Sequence, residues 1–185
     1  MFNYRGVDDG TMALLEAIKK SGEKIEGEVL DIGCGLGIIG ITLAKNYNIH
    51  LTLSDINENT IDLTKLNIEK NGVQANVVQS NAYSNIKQTF DYIVTNPPIK
   101  AGKSVLFSIV LDAYDHLYMG GKIILVIRKN LGMDSLRKAM LDKFGNCRIV
   151  ARDKGYYILE SVKSNYVVLE KPEDKEIIDE DEMIQ

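Results

Sequence analysis

Short apolar runs alternate with longer amphipathic segments along most of the chain. The apolar runs are rich in Val, Ile and Leu and bounded by turn residues, which is typical of buried strands. They predict strands at 28–32, 50–54, 75–79, 90–95, 122–127, 148–151 and 156–159. Apolar residues at helical spacing, with Thr11, Asn57 and Asp134 as N-caps, predict helices at 11–20, 37–46, 57–70, 102–118 and 134–144.

The order of these elements predicts an α/β fold. Strands separated by helices form parallel sheets with helices on both faces, so we expect a Rossmann-like, doubly wound sheet of seven strands. A short turn at 153–155 separates the last two runs, as in a hairpin. The sheet should therefore be mostly parallel with one antiparallel strand at an edge. We expect one domain over residues 1–170 and an acidic, flexible tail over 171–185.

The charge of the chain is unevenly distributed. The formal net charge is −4, but residues 171–185 alone carry seven acidic residues against two lysines, which leaves the rest near neutral. A near-neutral body with clustered Lys and Arg is compatible with a nucleic-acid substrate. No signal pattern and no apolar run of membrane-spanning length is present, so we expect a cytoplasmic protein that does not bind membranes. The two cysteines and two histidines lack metal-ligand spacing, so we expect no metal.

A glycine-rich turn follows the first predicted strand. Gly33, Gly35 and Gly37 stand at alternate positions, and Gly35, Gly37 and Gly40 also match the G-x-G-x-x-G fingerprint. Glycines permit a tight turn and let a ligand lie against the backbone. Asp55 ends the next strand, about twenty residues on, where an acidic residue binds ribose hydroxyls. Together these residues predict a nucleoside-binding site.

Asp31, just before the glycines, favours one nucleoside cofactor over another. A carboxylate near the loop would repel the pyrophosphate of NAD. It would attract the ammonium group of S-adenosylmethionine. We therefore expect S-adenosylmethionine as the cofactor, although a loop-stabilising role for Asp31 stays open.

A rigid corner follows the fourth predicted strand at Asn96, Pro97 and Pro98. The prolines lack N–H groups and force extended backbone before them. The corner therefore presents hydrogen-bond acceptors, namely the Asn96 side chain and the carbonyl oxygens of Asn96 and Pro97, which suit an –NH2 group. The same tripeptide could also be a simple turn. In a doubly wound sheet the first and fourth strands are neighbours, so this corner and the glycine loop should border one crevice.

The motifs D-x-G-x-G-x-G from Asp31, Asp55 and N-P-P-I from Asn96 together resemble class I S-adenosylmethionine-dependent methyltransferases that act on exocyclic or amide nitrogens. The stretches 7–11, 80–84 and 96–103 resemble, more narrowly, the RsmC-type small-subunit ribosomal RNA guanine-N2 methyltransferases. The likeness covers roughly residues 2–162, and the shorter, single-domain relatives are most similar.

The resemblance implies a role for each matching residue. The cofactor would be bound by Gly10, Thr11, Asp31, Gly33, Gly35, Gly37, Asp55, Ile56, Asn81, Ala82 and Asn96. The target amine would be held by the catalytic pair Asn96 and Pro97. We expect the substrate to be contacted by Pro98, Ile99, Lys100, Lys103, Arg128 and Lys129, the four basic residues touching phosphates or forming only a solvated rim.

Two positions depart from the family pattern. Asn81 stands where many methyltransferases have Asp, and it can still accept from the adenine amine. Ile99 stands where base-modifying relatives often have Phe or Tyr, so aromatic stacking on the base would be absent there. Tyr4 and Tyr83 are candidates to supply it.

These observations predict a methyltransferase that modifies guanine N2 in small-subunit (16S) ribosomal RNA, with ribosomal RNA or the small subunit as partner. Within the same chemistry, adenine in transfer RNA or DNA and a protein glutamine remain alternatives. An NAD-dependent oxidoreductase and a non-enzymatic RNA-binding assembly factor are the alternatives from other classes. Retention of both the glycine loop and Asn96 argues against the assembly factor.

Overall fold

A computed structural model describes residues 7–165 of the 185-residue chain. The helices are α1 (Asp9–Ser21), α2 (Ile38–Asn46), α3 (Glu58–Asn71), α4 (Lys103–Leu111) and α5 (Met133–Phe144). The strands are β1 (Gly27–Ile32), β2 (Ile49–Asp55), β3 (Ala75–Gln79), β4 (Phe90–Thr95), β5 (Leu117–Arg128), β6 (Arg148–Asp153) and β7 (Tyr156–Val162). Short 3-10 turns lie at Ile99–Ala101, Asp112–His116 and Lys129–Leu131. The acidic tail and Tyr4 lie outside the described residues, so the domain boundary at 170 stays a prediction.

The strands form one seven-stranded sheet in the order β3-β2-β1-β4-β5-β7-β6. β1 pairs in parallel with both β2 and β4, and β4 pairs in parallel with β5. The predicted Rossmann-like, doubly wound and mostly parallel sheet is therefore confirmed. The antiparallel strand is β7, which pairs with β5 on one side and β6 on the other. It lies one place in from the predicted edge, because the hairpin folds β7 back between β5 and β6.

Two buried clusters cover the two faces of the sheet. One contains Leu14, Leu15 and Ile18 of α1 with residues of α2 and the strands. The other contains Leu106, Ile109 and Val110 of α4, residues of α5 and the opposite side chains of the strands. The middle strands are apolar on both faces, because each face packs against helices.

Two predicted helix caps are wrong. The N-cap of α1 is Asp8, whose Oδ1 accepts from the backbone N–H of Thr11 at 3.0 Å, so Thr11 lies within the helix. Gly132, with φ at +96°, precedes α5, so Asp134 lies in the first turn. Asn57 caps α3 as predicted, accepting from the N–H groups of Asn59 and Thr60.

The segment 102–118 also differs from its prediction as one helix. α4 ends at Leu111, a 3-10 turn follows, and β5 begins at Leu117. Apolar spacing alone could not show the change, because Ala113 and Leu117 are buried in the same cluster as the helix.

Candidate active site

The glycine loop after β1 has a backbone that needs glycine. Gly33, Gly35 and Gly37 have φ of +66°, +54° and +78°, a region that side chains with a Cβ rarely adopt. At Gly37 an added Cβ would also lie 3.1 Å from the Thr64 side chain. The Thr64 hydroxyl donates to the Gly35 carbonyl oxygen at 2.6 Å, which ties the loop to α3.

Asp55 holds the glycine loop from the end of β2. Its Oδ2 accepts from the N–H of Gly35 at 3.0 Å, and its Oδ1 accepts from the N–H of Asn57 at 2.9 Å. A carboxylate has about four acceptor positions, so ribose hydroxyls could still bind to the same oxygens. Asp55 thus lies beside the glycine loop, and its contact with a ribose stays a prediction.

Asp31 lies beneath the loop and is fully buried. Its Oδ2 accepts from the N–H of Gly40 at 2.8 Å, whereas its Oδ1 has no hydrogen-bond partner among residues 7–165. Burial, reinforced by the charge of Asp55 and opposed by the Gly40 hydrogen bond, raises the pKa of Asp31 to about 7. An ammonium group nearby would favour the ionised form, so the orphaned oxygen fits the predicted role toward the cofactor.

The corner after β4 packs against the glycine loop. The Thr95 hydroxyl donates to the carbonyl oxygen of Ile32 at 2.7 Å, so the ends of β1 and β4 are joined. A Cβ at Gly33 would lie 3.6 Å from the ring of Pro98. A cleft of about 340 Å³ lies here, lined by Asp8, Thr11, Gly33, Cys34, Gly35, Leu36, Ile38, Ile39 and Asn96. The predicted crevice between the two motifs is therefore present.

Asn96 is held in one orientation by the start of α1. Its Nδ2 donates to Asp8 Oδ1 at 3.0 Å and to Thr11 Oγ1 at 3.1 Å. Because an ionised carboxylate can only accept, the –NH2 end of the amide must face Asp8. The Asn96 Oδ1 is then the acceptor that remains for a substrate.

Asp8 lines the cleft and contacts Asn96, but the sequence did not single it out as a candidate site residue. Burial would raise its pKa, but hydrogen bonds from Thr11, Asn96 and the backbone of Gly10 outweigh it and lower the pKa, so Asp8 stays ionised. The signal was present in the sequence, because Asp is a preferred N-cap and Thr11 stands three residues after it. Its contact with Asn96 spans 88 residues of sequence and needed the fold.

Gly10 lies where α1 meets the corner. A Cβ there would be 3.1 Å from the Tyr156 ring, 3.2 Å from Asp8 Oδ1 and 3.3 Å from Asn96 Nδ2. Any larger residue would push these groups apart. Gly10 thus permits the close approach on which the Asn96 hydrogen bonds depend.

The residues predicted to face the adenine are not among those that line the cleft. Ile56 is 61% exposed, and Asn81 is exposed in the turn after β3. The backbone N–H of Ser80 donates to the Asp55 carbonyl oxygen at 2.9 Å, which brings this turn next to β2. Ala82 adopts φ of +47°, a strained conformation that often marks functional sites. Their adenine contacts stay predictions.

Cys34 lines the cleft but is not suited to act as a nucleophile. Burial, together with the charges of Asp31 and Asp55, holds the pKa of its thiol far above the usual value. A thiol that stays protonated is a weak nucleophile. Cys34 therefore contributes a small apolar surface beside the glycine loop.

Tyr83 cannot stack on a substrate base, so its predicted role in replacing the aromatic residue missing at position 99 is wrong. It is 8% exposed, stacks on His116 at 4.4 Å between ring centroids and donates its hydroxyl to the Ile109 carbonyl oxygen at 2.7 Å. All its faces are engaged within the protein. The predicted substrate residues Pro98, Lys100, Lys103, Arg128 and Lys129 are exposed, and Ile99 is half-buried.

Two absences concern residues 7–165 only. No helix within this range is long and apolar enough to cross a membrane. The same residues contain no group of three or more His, Cys, Asp or Glu side chains that could hold a metal ion.

Known proteins resemble this chain over most of its length. The family model described as "Methyltransferase small domain" matches residues 1–160. The uncharacterized protein YbxB of Bacillus subtilis (strain 168) is 36% identical over 169 residues, which cover 88% of this chain and 82% of YbxB.

Two further relatives are named as ribosomal RNA methyltransferases. Ribosomal RNA small subunit methyltransferase C of Actinobacillus pleuropneumoniae serotype 7 is 34% identical over 85% of this chain and 48% of its own length. The structure of the T. thermophilus 16S rRNA N2 G1207 methyltransferase (RsmC), in complex with AdoMet and guanosine, superposes with a TM-score of 0.78. It is 26% identical over 88% of this chain and 45% of its own length.

The chain thus spans about half the length of the RsmC relatives and most of the length of YbxB. The range matched by the family model includes the glycine loop, Asp55 and the Asn96 corner. The family that the motifs predicted is confirmed. The chain belongs to the methyltransferase small domain family.

Proposed function

We propose that this protein is an S-adenosylmethionine-dependent methyltransferase that acts on the exocyclic N2 amine of guanine in small-subunit ribosomal RNA. The observation that carries the proposal is the Asn96 side chain, fixed by Asp8 and Thr11 at the mouth of the glycine-loop cleft. The matched structure holds AdoMet and guanosine, the two ligands that such a site would accept. Ribosomal RNA as partner implies a cytoplasmic location.

The cleft offers a cofactor an accessible stretch of backbone. Gly33 and Gly35 line it and would let a ligand approach the main chain, and Asp55, which accepts from the N–H of Gly35, would offer acceptors for a ribose. Gly33, Gly35 and Gly37 would line the cofactor, with Asp31 beneath its ammonium group. When bound, S-adenosylmethionine supplies an activated methyl group on a sulfonium, which needs neither a metal nor a covalent protein intermediate.

The protein's own residues act on the amine. An exocyclic amine is a poor nucleophile because its lone pair is delocalised into the ring. If Asn96 Oδ1 and the Pro97 carbonyl oxygen accept its two N–H groups, the nitrogen can pyramidalise and direct its lone pair at the methyl group. The same acceptors stabilise positive charge that develops on nitrogen. After the new N–C bond has formed, the nitrogen loses one proton to water. Positioning supplies much of the rest and reaches ~7–11 kcal/mol in favourable cases.

Asp8 supports this chemistry without touching the substrate. It holds the –NH2 end of Asn96 away from the incoming amine. If the Asn96 amide were turned round, its N–H groups would face the N–H groups of the substrate, and two donors cannot form a hydrogen bond. The negative charge of Asp8, on the opposite side of the Asn96 amide from the substrate, also stabilises the positive charge that develops on the reacting nitrogen. We assign Asp8 and Thr11 as positioning residues.

Methyl transfer with product identification tests the proposal. The protein is incubated with methyl-labelled S-adenosylmethionine and, separately, 16S ribosomal RNA, small subunits, transfer RNA, DNA and glutamine-containing ribosomal protein. Nucleoside and amino-acid analysis then identifies the methylated atom. N2-methylguanosine from ribosomal RNA or subunits is the expected product. Methyladenine or methylglutamine as the sole product would contradict the proposed substrate.

A further inference from the structure

A second, apolar pocket lies beside the Asn96 corner. It measures about 230 Å³ and is lined by Ile99, Lys103, Leu106, Phe107, Leu131 and Gly132. Ile99 is the last residue of the N-P-P-I motif, so the pocket begins where the corner ends. Neither Asn96 nor the two prolines line it. The pocket is therefore next to, and separate from, the position of the target amine.

The walls of this pocket suit a flat ring. Phe107 is half-buried and packs against the core below it, so its ring is firmly held. The Lys103 ammonium lies over that ring, 5.1 Å from its centroid, on a long exposed side chain that an entering base would displace. Leu131, on the turn after β5, is 42% exposed. The volume of the pocket, about 230 Å³, is below the range of drug-sized ligand sites and suits a single ring system.

Charge around the pocket indicates what the ring is attached to. The two bordering segments, 96–111 and 126–133, contain Lys100, Lys103, Arg128 and Lys129 and no acidic residue. All four basic side chains are exposed, so they can reach a ligand's phosphates. An apolar pocket with a cationic rim matches a base on a nucleic-acid strand better than an apolar peptide side chain.

We propose that this pocket binds the base of a nucleotide adjacent in the RNA strand to the methylated guanosine, stacked on Phe107 between Ile99 and Leu131. The assignment rests on the proposed function, because it requires an RNA substrate. It supplies stacking near the position where Ile99 replaces an aromatic residue. A neighbouring base can enter the pocket only when it is unpaired, so the site selects single-stranded or looped RNA.

Binding measurements on matched RNAs test the pocket. One fluorescently labelled, short single-stranded RNA carries a guanosine between two ordinary nucleotides, and two others carry an abasic residue on its 5′ or 3′ side. The variants are Phe107→Leu, which keeps apolar volume but removes the ring, and Leu131→Ser. Leu63→Ser, at a leucine on α3 that is 50% exposed, is the matched control. S-adenosylhomocysteine is present throughout, and its own affinity is measured for each variant.

Phe107→Leu should weaken binding of the intact RNA roughly 5- to 150-fold, the range for loss of one base–aromatic stack. The wild-type protein should bind one of the two abasic RNAs more weakly than the intact RNA by a similar factor. On that abasic RNA, Phe107→Leu should bind as tightly as the wild type. Leu63→Ser should change neither, and S-adenosylhomocysteine affinity should stay constant. The pocket assignment would be overturned by any of three results. The wild type could bind the intact and abasic RNAs equally well, Phe107→Leu could lose the same affinity on all three RNAs, or the protein could bind no RNA.

These readouts need no turnover, so the two proposals fail separately. Absence of N2-methylguanosine from every RNA would contradict the proposed function. The difference between intact and abasic RNA decides the pocket by itself.

Discussion

Asp8 connects the first helix to the active-site corner through one carboxylate. Its Oδ1 accepts from the Thr11 backbone N–H and from Asn96 Nδ2, both at 3.0 Å. Helix capping and orientation of the substrate-binding amide are therefore coupled. A residue that only caps the helix would affect stability, whereas one that also orients Asn96 affects turnover of the folded enzyme.

Asp8→Ala should lower kcat roughly 10- to 150-fold, corresponding to one hydrogen bond to a charged group at ~1.5–3 kcal/mol. Loss of the cap should also lower the free energy of unfolding by ~1 kcal/mol. Asp8→Asn retains an oxygen acceptor and should recover most of kcat. Steady-state kinetics at saturating cofactor and denaturant unfolding measure the two effects.

Asp9→Ala, at the exposed neighbouring acid, is the control. The positioning role of Asp8 would be contradicted if Asp8→Ala lost stability yet turned over like the wild type.

Asp31 makes both the stability and cofactor binding depend on pH. Its pKa is raised from 3.8 to about 7 by burial, opposed by the Gly40 hydrogen bond and reinforced by Asp55. Since the folded chain holds this proton more tightly than the unfolded chain, its contribution to stability is full at acid pH and is lost as the pH rises to about 7. A bound ammonium group should lower the pKa again and release the proton.

Cofactor binding near neutral pH should therefore release protons from the wild type. Calorimetric titration with S-adenosylmethionine in buffers of different ionisation enthalpy measures this release. Asp31→Asn, which can still accept from Gly40, should release fewer protons. Identical proton release by both proteins would show that Asp31 does not respond to the cofactor.

At the scale of elements, α2 approaches β2 closely because Gly40 has no side chain. A Cβ there would lie 2.7 Å from Leu53 Cδ2 and 2.9 Å from Leu51 Cδ1. Both leucines are buried in the cluster under α2. The third glycine of the fingerprint thus serves packing, whereas the earlier two serve the backbone of the loop.

Gly40→Ala should destabilise the protein although it lies within a helix. Helix propensity favours Ala over Gly by ~1 kcal/mol, but forcing an extra methyl into a packed core costs ~1–3 kcal/mol. Denaturant unfolding measures the net effect, with Ser135→Ala on the exposed face of α5 as control. A Gly40→Ala protein at least as stable as the wild type would show that α2 and β2 can separate without cost.

Elements differ in how well the sequence predicts them. The strands β1, β2, β4 and β7 were predicted with small errors because most of their apolar residues are buried. The start of β5 was predicted five residues too late, at residue 122 instead of Leu117. Leu117 continues the apolar spacing of α4, and the next two residues, Tyr118 and Met119, are exposed and so do not extend the apolar run of the strand. The N-P-P corner and glycine loop were predicted to meet because parallel strands end at the same edge of the sheet.

Contacts distant in sequence explain the remaining errors. Tyr83 looked available as a free aromatic residue, but His116 and Ile109 enclose it. Asp8 reaches Asn96 only after α1 packs on the face of the sheet formed by β5, β6 and β7. Neither contact leaves a periodic signal in the chain.

At the scale of the whole molecule, four basic residues follow the carboxyl ends of β4 and β5. The Arg128 guanidinium stacks on Tyr156 at 4.6 Å, and a Cβ at Gly10 would lie 3.1 Å from that ring. Arg128 therefore lies beside the active-site corner, and Lys100 and Lys103 follow that corner in the chain. This arrangement supports phosphate binding beside the site.

Neutralising this basic group should flatten the salt dependence of RNA binding. Each lost phosphate contact should reduce the slope of log affinity against log salt by ~0.7 for single-stranded RNA. Affinities measured over a salt series give the slope. The group comprises Lys100, Lys103, Arg128 and Lys129, and the control substitutes the exposed lysines Lys24, Lys65 and Lys70. An unchanged slope in the first variant, or an equal change in the control, would contradict phosphate binding by the group.

The central claim is that Asn96 presents an acceptor to the amine during methyl transfer. Single-turnover transfer of labelled methyl to ribosomal RNA, measured for the wild type, Asn96→Ala and the exposed control Asn48→Ala, tests it most directly. Asn96→Ala should slow transfer by roughly 10²–10³-fold, the range for removal of one transition-state hydrogen-bonding group, while cofactor affinity stays within a few-fold. Transfer by Asn96→Ala at the wild-type rate would contradict the account.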